Sequence, residues 1–184
     1  LTLFEKATTY SESTVAAKRI RAADPGALII FLLRDPIRRA LSNYQFSVSN
    51  GLESLDVTEA FDMEIAGVHR PTPRGLSTNP FTYLQRSLYW NYLTDWLRIF
   101  PPSKVFPVVF EEVLRDPLCL IEPLEEHLPR RPSIADFTLR QANGSEKERL
   151  EETEIQTLKK KYGWFFNESN EGLRRIGIDL KLWS

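Results

Sequence analysis

The stretch from Ala27 to Gly51 constrains the fold of this chain more than any other. Leu28 to Leu33 is an unbroken apolar run, which is typical of a buried strand of a parallel sheet. Arg34 ends the run, Asp35 is a favourable N-cap, and Pro36 takes the first helical position. The sequence therefore predicts a strand that passes directly into a helix.

The predicted helix has one apolar face and begins at a site suited to anions. Apolar residues recur at helical spacing at Ile37, Ala40, Leu41, Tyr44 and Val48. We expect unbonded backbone N–H groups and the positive end of the helix dipole at its first turn. Arg34 adds a guanidinium suited to bidentate phosphate contact, and Ser42 adds a hydroxyl about two turns along. Alternatively, Arg34 and Asp35 form a structural ion pair or cap, and Ser42 is ordinary helix surface.

The segment RDPIRRALSNY, residues 34–44, resembles the 3′-phosphate-binding segment of the sulfotransferases that use 3′-phosphoadenosine 5′-phosphosulfate (PAPS). In that family an Arg at a strand end and a Ser eight residues later hold the 3′-phosphate, and the matching residues are Arg34 and Ser42. The resemblance implies PAPS as the donor and 3′-phosphoadenosine 5′-phosphate (PAP) as the product, with no metal.

The segment EKATTY, residues 5–10, resembles the EK-x-x-x-Y segment of heparan-type and bacterial sulfotransferases, whose Lys lies near the sulfuryl group. The resemblance implies that Lys6 is catalytic and stabilises charge on the departing or transferring oxygens. Without it, Glu5 and Lys6 are typical of an exposed surface pair. Short alternation over Leu1–Tyr10 predicts the end of a strand, and Ser11–Ala23 predicts a helix.

A long loop is predicted from Gly67 to Pro80, because Pro, Gly, Ser and Thr dominate it. His69 lies within this loop. A neutral imidazole can accept the proton of an acceptor hydroxyl, as sulfuryl transfer to an alcohol requires. His69 is therefore a candidate catalytic base, beside the alternative of an exposed loop histidine.

Later segments extend the resemblance along the chain. A long helix is predicted over Thr82–Phe100, and its sequence resembles the family segment R-(G/S)-x-Y, which implies that Arg86 and Tyr89 bind substrate. Lys104–Phe110 predicts a strand in which Pro107 favours an edge position or a bulge.

Asn143 is implied to contact the cofactor from a loop that closes over the nucleotide. Residues 173–183, LRRIGIDLKLW, resemble the family's closing segment.

Composition limits the remaining classes of function. The 184 residues are 42% hydrophobic and 27% charged, which suits a single domain over residues 1–184. With 24 basic and 25 acidic residues, the net charge of −1 argues against a nucleic-acid partner. No run is long enough for a membrane span, and two histidines with no ligand-spaced cluster argue against a metal site. One cysteine, Cys119, suits a reducing compartment, so we expect a cytoplasmic protein.

The family also has an upstream strand–loop–helix whose loop holds the 5′-phosphosulfate. None of the eight glycines forms such a loop: Gly172 and Gly177 satisfy G-x-x-x-x-G, but Ile178 and Asp179 follow in place of Lys-Ser/Thr. We therefore expect that an N-terminal portion precedes this sequence, in which case a Golgi or secreted location is the alternative.

These observations predict an α/β domain with the P-loop NTPase-like sulfotransferase fold, a parallel β-sheet flanked by helices with its site at the carboxyl edge. We expect an enzyme that transfers a sulfuryl group from PAPS to a hydroxyl or amine of a small-molecule or carbohydrate acceptor. The alternatives are a non-catalytic nucleotide-binding or interaction module of the same fold, and an ATP-dependent phosphotransferase. The lack of a Walker A lysine motif disfavours the phosphotransferase.

Overall fold

A computed structural model describes residues 5–7, 9–76, 78–122, 125 and 152–183. At its centre, β1 (Ile29–Leu33) pairs in parallel with β2 (Val105–Val109), with Ile29 opposite Val105 and Leu33 opposite Val109. Within the described ranges the sheet consists of these two strands. Because parallel strands end at the same edge, Arg34 and Phe110 follow them side by side.

Helices make up most of the remaining regular structure. The α-helices are α1 (Thr14–Ala23), α2 (Pro36–Ser49), α3 (Val57–Ile65), α4 (Tyr89–Leu97), α5 (Phe110–Arg115), α6 (Leu118–Ile121), α7 (Glu152–Tyr162) and α8 (Asn167–Arg175). Short 3-10 helices occur at Tyr10–Glu12, Gln85–Ser87, Pro102–Lys104, Gly163–Phe166 and Lys181–Trp183. No helix in the described part of the chain is long and apolar enough to cross a bilayer.

Two apolar clusters hold these elements together. The first packs one face of the sheet against α1, α4 and α8, through Ala17, Phe31, Leu33, Leu93, Trp96 and Leu173. The second joins α2, α3 and α7, through Ile37, Leu41, Phe61, Leu158 and Tyr162. The α2 helix thus extends from the sheet edge into a second layer, which fixes its first turn beside the strand ends.

The prediction of a buried first strand is correct for one of its faces. Phe31 and Leu33 are buried, whereas Ile30 and Leu32 on the opposite face are 40% and 52% exposed. The apolar run predicts a strand, but it does not predict whether both faces of that strand are covered. That coverage depends on elements distant in sequence. Among the described residues, Pro107 lies on a strand with one partner, where its missing N–H is tolerated.

Two predicted elements differ from the structure. The described part of Leu1–Tyr10 contains no strand, and Tyr10 starts a 3-10 helix. The helix predicted over Thr82–Phe100 begins at Tyr89, because Leu88 has a non-helical ψ of 63°. Backbone N–H groups of Tyr83, Leu84 and Gln85 instead donate to the Glu64 carboxylate, a partner distant in sequence.

Local capping explains why α1 and α3 begin where they do. The Ser13 hydroxyl accepts from Ala16 N–H at the start of α1, and Asp56 and Glu59 form a capping box at the start of α3. The predicted loop over Gly67–Pro80 is confirmed in its described residues, which contain neither helix nor strand.

Candidate functional site

Arg34 lies at the carboxyl edge of the sheet, directly after β1. Its guanidinium carbon is 5.6 Å from the centre of the Phe110 ring, a cation–π contact with the residue that follows β2. Its Nε is buried and has no hydrogen-bond partner among the described residues. A buried donor without a partner is costly, so this guanidinium is suited to an anionic ligand that would accept from it.

The backbone N–H groups of the same turn are bonded to side chains of the protein. The N–H of Arg34 donates to Tyr89 Oη over 3.4 Å, and that of Asp35 donates to Glu111 Oε1 over 3.0 Å. The N–H of Arg38 donates to Asp35 Oδ1 over 2.9 Å. The prediction of unbonded N–H groups is therefore wrong at these positions, because long-range acceptors satisfy two of them. An anion here would therefore not be held by these three N–H groups.

Asp35 is a structural residue of this turn. It is 2% exposed, caps α2, and forms an ion pair of 2.7 Å with Nζ of Lys159 from α7. Within the described part of the chain Arg34 forms no ion pair. The alternative of a helix cap is therefore correct for Asp35. The alternative of an ion pair between Arg34 and Asp35 is not, so Asp35 does not neutralise the charge of Arg34.

Ser42, the second predicted phosphate ligand, is exposed on α2. It follows Pro36 by six residues, which places it about 9 Å further along the helix axis. No described contact joins Ser42 to Arg34, so their joint binding of one phosphate stays a prediction. Arg34 thus lies just before α2, and Ser42 lies near the end of its second turn.

Tyr89 and Arg86, the predicted substrate ligands, have different environments. Tyr89 Oη accepts from the Arg34 N–H, and burial raises the pKa of this hydroxyl to about 12. The phenol is thus protonated at neutral pH, and Ser87 is a hydrogen-bonding neighbour of its hydroxyl. Arg86 bonds to the Glu12 carboxylate through Nε and to Asn43 Oδ1 over 3.1 Å. Substrate binding by either residue stays a prediction.

Arg86 belongs to a cluster that the sequence did not indicate. Arg39 on α2 approaches the same Glu12 carboxylate at 3.7 Å and donates to the backbone oxygen of Tyr83 over 3.2 Å. Burial and the charge of Arg86 lower the pKa of Arg39. The Glu64 carboxylate supplies further negative charge beside Arg39.

Lys6 and His69, the predicted catalytic residues, are both exposed and share no described contact. Lys6 is exposed, and its neighbour Glu5 accepts a 2.6 Å hydrogen bond from Tyr10 Oη. His69 is exposed and lines a cleft of about 210 Å³, to which neither Lys6 nor Arg34 contributes. No described contact joins His69 to either residue, so both catalytic roles stay predictions.

Two further predictions concern Asn143 and metals. Asn143 lies outside the described residues. Among the residues that are described, no group of three or more His, Cys, Asp and Glu side chains is arranged to hold a metal ion.

Sequence reasoning missed Glu111, Lys159 and Trp183, which surround the turn at Arg34. Trp183 lies in residues 173–183, which resemble the family's closing segment, so the sequence indicated its position but not its contacts. Nothing in the sequence connects Lys159 with Asp35, which lies more than a hundred residues earlier.

The fold and the site together define an α/β protein whose candidate anion site lies at the carboxyl edge of a parallel sheet. Residues 3–131 match the model of the family described as "Sulfotransferase family". The chain belongs to this family, and the family resemblance predicted from the sequence is confirmed.

Two curated relatives illustrate the similarity. "Bifunctional heparan sulfate N-deacetylase/N-sulfotransferase 2" of Homo sapiens is 29% identical over 132 residues, which cover 72% of this chain and 15% of the relative. "Heparan sulfate glucosamine 3-O-sulfotransferase 3B1" of Mus musculus is 28% identical over 147 residues, which cover 76% of this chain and 35% of the relative. The chain thus spans between 15% and 35% of the length of these relatives.

A solved structure confirms the fold class. The crystal structure of a sulfotransferase from Alicyclobacillus acidocaldarius matches 95% of this chain and 64% of its own, with a TM-score of 0.66 at 24% identity. The α/β, P-loop-like sulfotransferase fold predicted from the sequence is therefore confirmed.

Proposed function

We propose that the protein transfers a sulfuryl group from PAPS to a hydroxyl or amine of an acceptor. One observation carries the proposal beyond family membership: the buried Nε of Arg34 has no partner among the described residues, at the strand end where the family resemblance implies a 3′-phosphate contact. A phosphate dianion would accept from this guanidinium in the bidentate manner that Arg favours.

In this proposal each candidate residue has a distinct role. Arg34 and Ser42 bind the 3′-phosphate and orient the nucleotide, with Asn143 as a further contact. Bound PAPS supplies the sulfuryl group. Lys6 donates hydrogen bonds to the oxygens on which negative charge develops, and His69 accepts the proton that the acceptor loses.

The acceptor that we propose is a carbohydrate. The names of both curated relatives refer to heparan sulfate, and one names glucosamine. A small-molecule acceptor is the alternative.

The experiment that tests the donor site is calorimetric titration with PAP, ADP and AMP. We expect wild-type protein to bind PAP more tightly than the two nucleotides that lack a 3′-phosphate. Arg34→Ala should remove most of this difference, roughly 1.5–3 kcal/mol for a hydrogen bond to a charged group. Ser42→Ala should remove a smaller part, about 0.5–1.5 kcal/mol.

Arg38→Ala is the matched control, because Arg38 lies one helical turn away and pairs with Glu152 instead. It also removes one positive charge close to the start of α2 and should change the preference for PAP by less than about 0.5 kcal/mol. Equal binding of the three nucleotides by wild-type protein would contradict the proposal. A second assay supplies the protein with PAPS and a heparan-type acceptor and measures the PAP that is released. Tight binding of PAP with no such release would instead favour the non-catalytic nucleotide-binding module.

A further inference from the structure

Two consecutive backbone N–H groups of the Arg34–Asp35 turn are held by side chains from other elements. Tyr89 Oη accepts from Arg34, and Glu111 Oε1 accepts from Asp35. The direction of a peptide N–H fixes the plane of its peptide unit, and hence the direction in which the Arg34 side chain leaves the backbone. The positions of these two acceptors therefore determine how the guanidinium is presented.

Trp183, in the 3-10 helix Lys181–Trp183, contacts both acceptors. Its Nε1–H donates to Glu111 Oε2 over 3.0 Å, so each oxygen of this carboxylate receives one hydrogen bond. Its ring centre lies 6.1 Å from that of Tyr89. Trp183 is 8% exposed, so packing holds the indole in place.

A third connection passes through Lys159. Its Nζ donates to the backbone oxygen of Trp183 over 2.8 Å and forms the 2.7 Å ion pair with Asp35. The Asp35 side chain is 2% exposed and that of Lys159 is 15% exposed, so water competes little with this ion pair. Trp183 therefore connects to the turn through Glu111, Tyr89 and Lys159.

We propose that Trp183 and Glu111 are positioning residues that hold the Arg34–Asp35 turn in the conformation that binds the 3′-phosphate. The inference rests on the proposed function and assigns to both residues an action through Arg34. Loss of the indole N–H leaves one oxygen of Glu111 unpaired, so that the carboxylate is free to rotate and the Asp35 N–H loses its fixed acceptor. The guanidinium would then be presented in several directions, which lowers its affinity for a phosphate in a fixed place.

The test is calorimetric titration of Trp183→Phe and Glu111→Gln with PAP and with AMP, which lacks only the 3′-phosphate. We expect each variant to bind PAP about 5- to 10-fold more weakly, the equivalent of one hydrogen bond. Binding of AMP should change less than about twofold. The matched control is Trp164→Phe, the same substitution at a tryptophan that is 58% exposed, which should leave the PAP to AMP ratio unchanged.

A merely structural role is distinguished by combining substitutions. If Trp183 acts through Arg34, Trp183→Phe should cause no further loss of PAP affinity in protein that already carries Arg34→Ala. Should Trp183→Phe fail to fold, Glu111→Gln decides in the same way, since it keeps the shape of the side chain.

Three outcomes would overturn the inference. Equal weakening of PAP and AMP would show a general structural role for Trp183 and Glu111. An unchanged PAP to AMP ratio in both variants, with the preference still lost in Arg34→Ala, would overturn this inference and leave the proposed function intact. Wild-type protein with no preference for PAP would overturn the proposed function and this inference with it.

Discussion

Glu53 is a buried acidic side chain that holds the loop that carries His69. It is 6% exposed and accepts two hydrogen bonds from Arg70, of 2.6 and 2.9 Å, and one of 2.7 Å from Tyr83 Oη. Arg70 also lies 3.8 Å over the ring of Phe81. Burial alone would raise the pKa of Glu53, but the hydrogen bonds outweigh it and lower the pKa to about 2.

We expect Glu53→Gln to destabilise the protein by about 2–4 kcal/mol, because it leaves the Arg70 charge without its partner. Urea denaturation at pH 7 measures this loss. Tyr83→Phe removes one of the bonds and should cost about 1 kcal/mol. Glu168→Gln, on the exposed surface of α8, is the control and should change stability by less than about 0.5 kcal/mol.

The same carboxyl predicts a pH dependence with a definite sign. The folded-state pKa of about 2 lies below the ordinary value of 4.5, so the folded state favours the ionised form. This contribution is complete above the unfolded pKa and is lost as the pH falls towards the folded one. The stability difference between wild type and Glu53→Gln should therefore shrink between about pH 5 and pH 2. A difference that is constant over this range would contradict the role of ionised Glu53.

At the scale of elements, α8 approaches α4 closely because residue 172 has no side chain. A Cβ placed on Gly172 would lie 2.3 Å from ring carbons of Trp90, far inside van der Waals contact. Beside it, the Ser169 hydroxyl accepts a 3.1 Å hydrogen bond from the backbone N–H of Trp90. The glycine noted in the sequence for its spacing from Gly177 thus has a packing role.

We expect Gly172→Ala to destabilise the protein by about 1–3 kcal/mol through overpacking, although alanine is the better helix former by about 1 kcal/mol. Thermal unfolding measures the change. Gly163→Ala is the matched control, because no atom beyond its neighbours along the chain lies within 4 Å of its added Cβ, and it should be neutral within about 0.5 kcal/mol. A Gly172→Ala variant as stable as wild type would show that the two helices separate without cost.

At the scale of the whole molecule, binding at the sheet edge should stabilise every element attached to it. Both apolar clusters contact this edge, since Leu33 belongs to the first and Ile37 to the second. The site at Arg34 is thus formed only when both clusters are folded, so a ligand there binds the folded state in preference to the unfolded state.

PAP at 100 times its Kd should add about 2.7 kcal/mol to the free energy of unfolding. For a chain of this size, that raises the melting temperature by about 5–10 °C. Differential scanning fluorimetry should show a smaller rise with AMP and little difference between PAP and AMP in Arg34→Ala. Identical rises with PAP and AMP in wild-type protein would contradict a 3′-phosphate contact.

Local sequence patterns determined much of the architecture and the identity of the family. The run Leu28–Leu33 predicted β1, and the Asp35-Pro36 pair predicted the start of α2, because strand formation and capping depend on neighbouring residues. The segment at residues 34–44 led to the sulfotransferase family, since its residues lie close together along the chain.

The tertiary structure alone decided which groups at the site are bonded and which are left for a ligand. The turn at Arg34 is surrounded by Glu111, Lys159 and Trp183, which come from other elements. Elsewhere, Glu64 accepts from backbone N–H groups at the start of Thr82–Phe100, where local propensity predicted a helix. These partners lie between about twenty and 125 residues away from the groups that they bond. A hydrogen bond depends on distance in space, and distance along the chain does not determine it once the chain has folded.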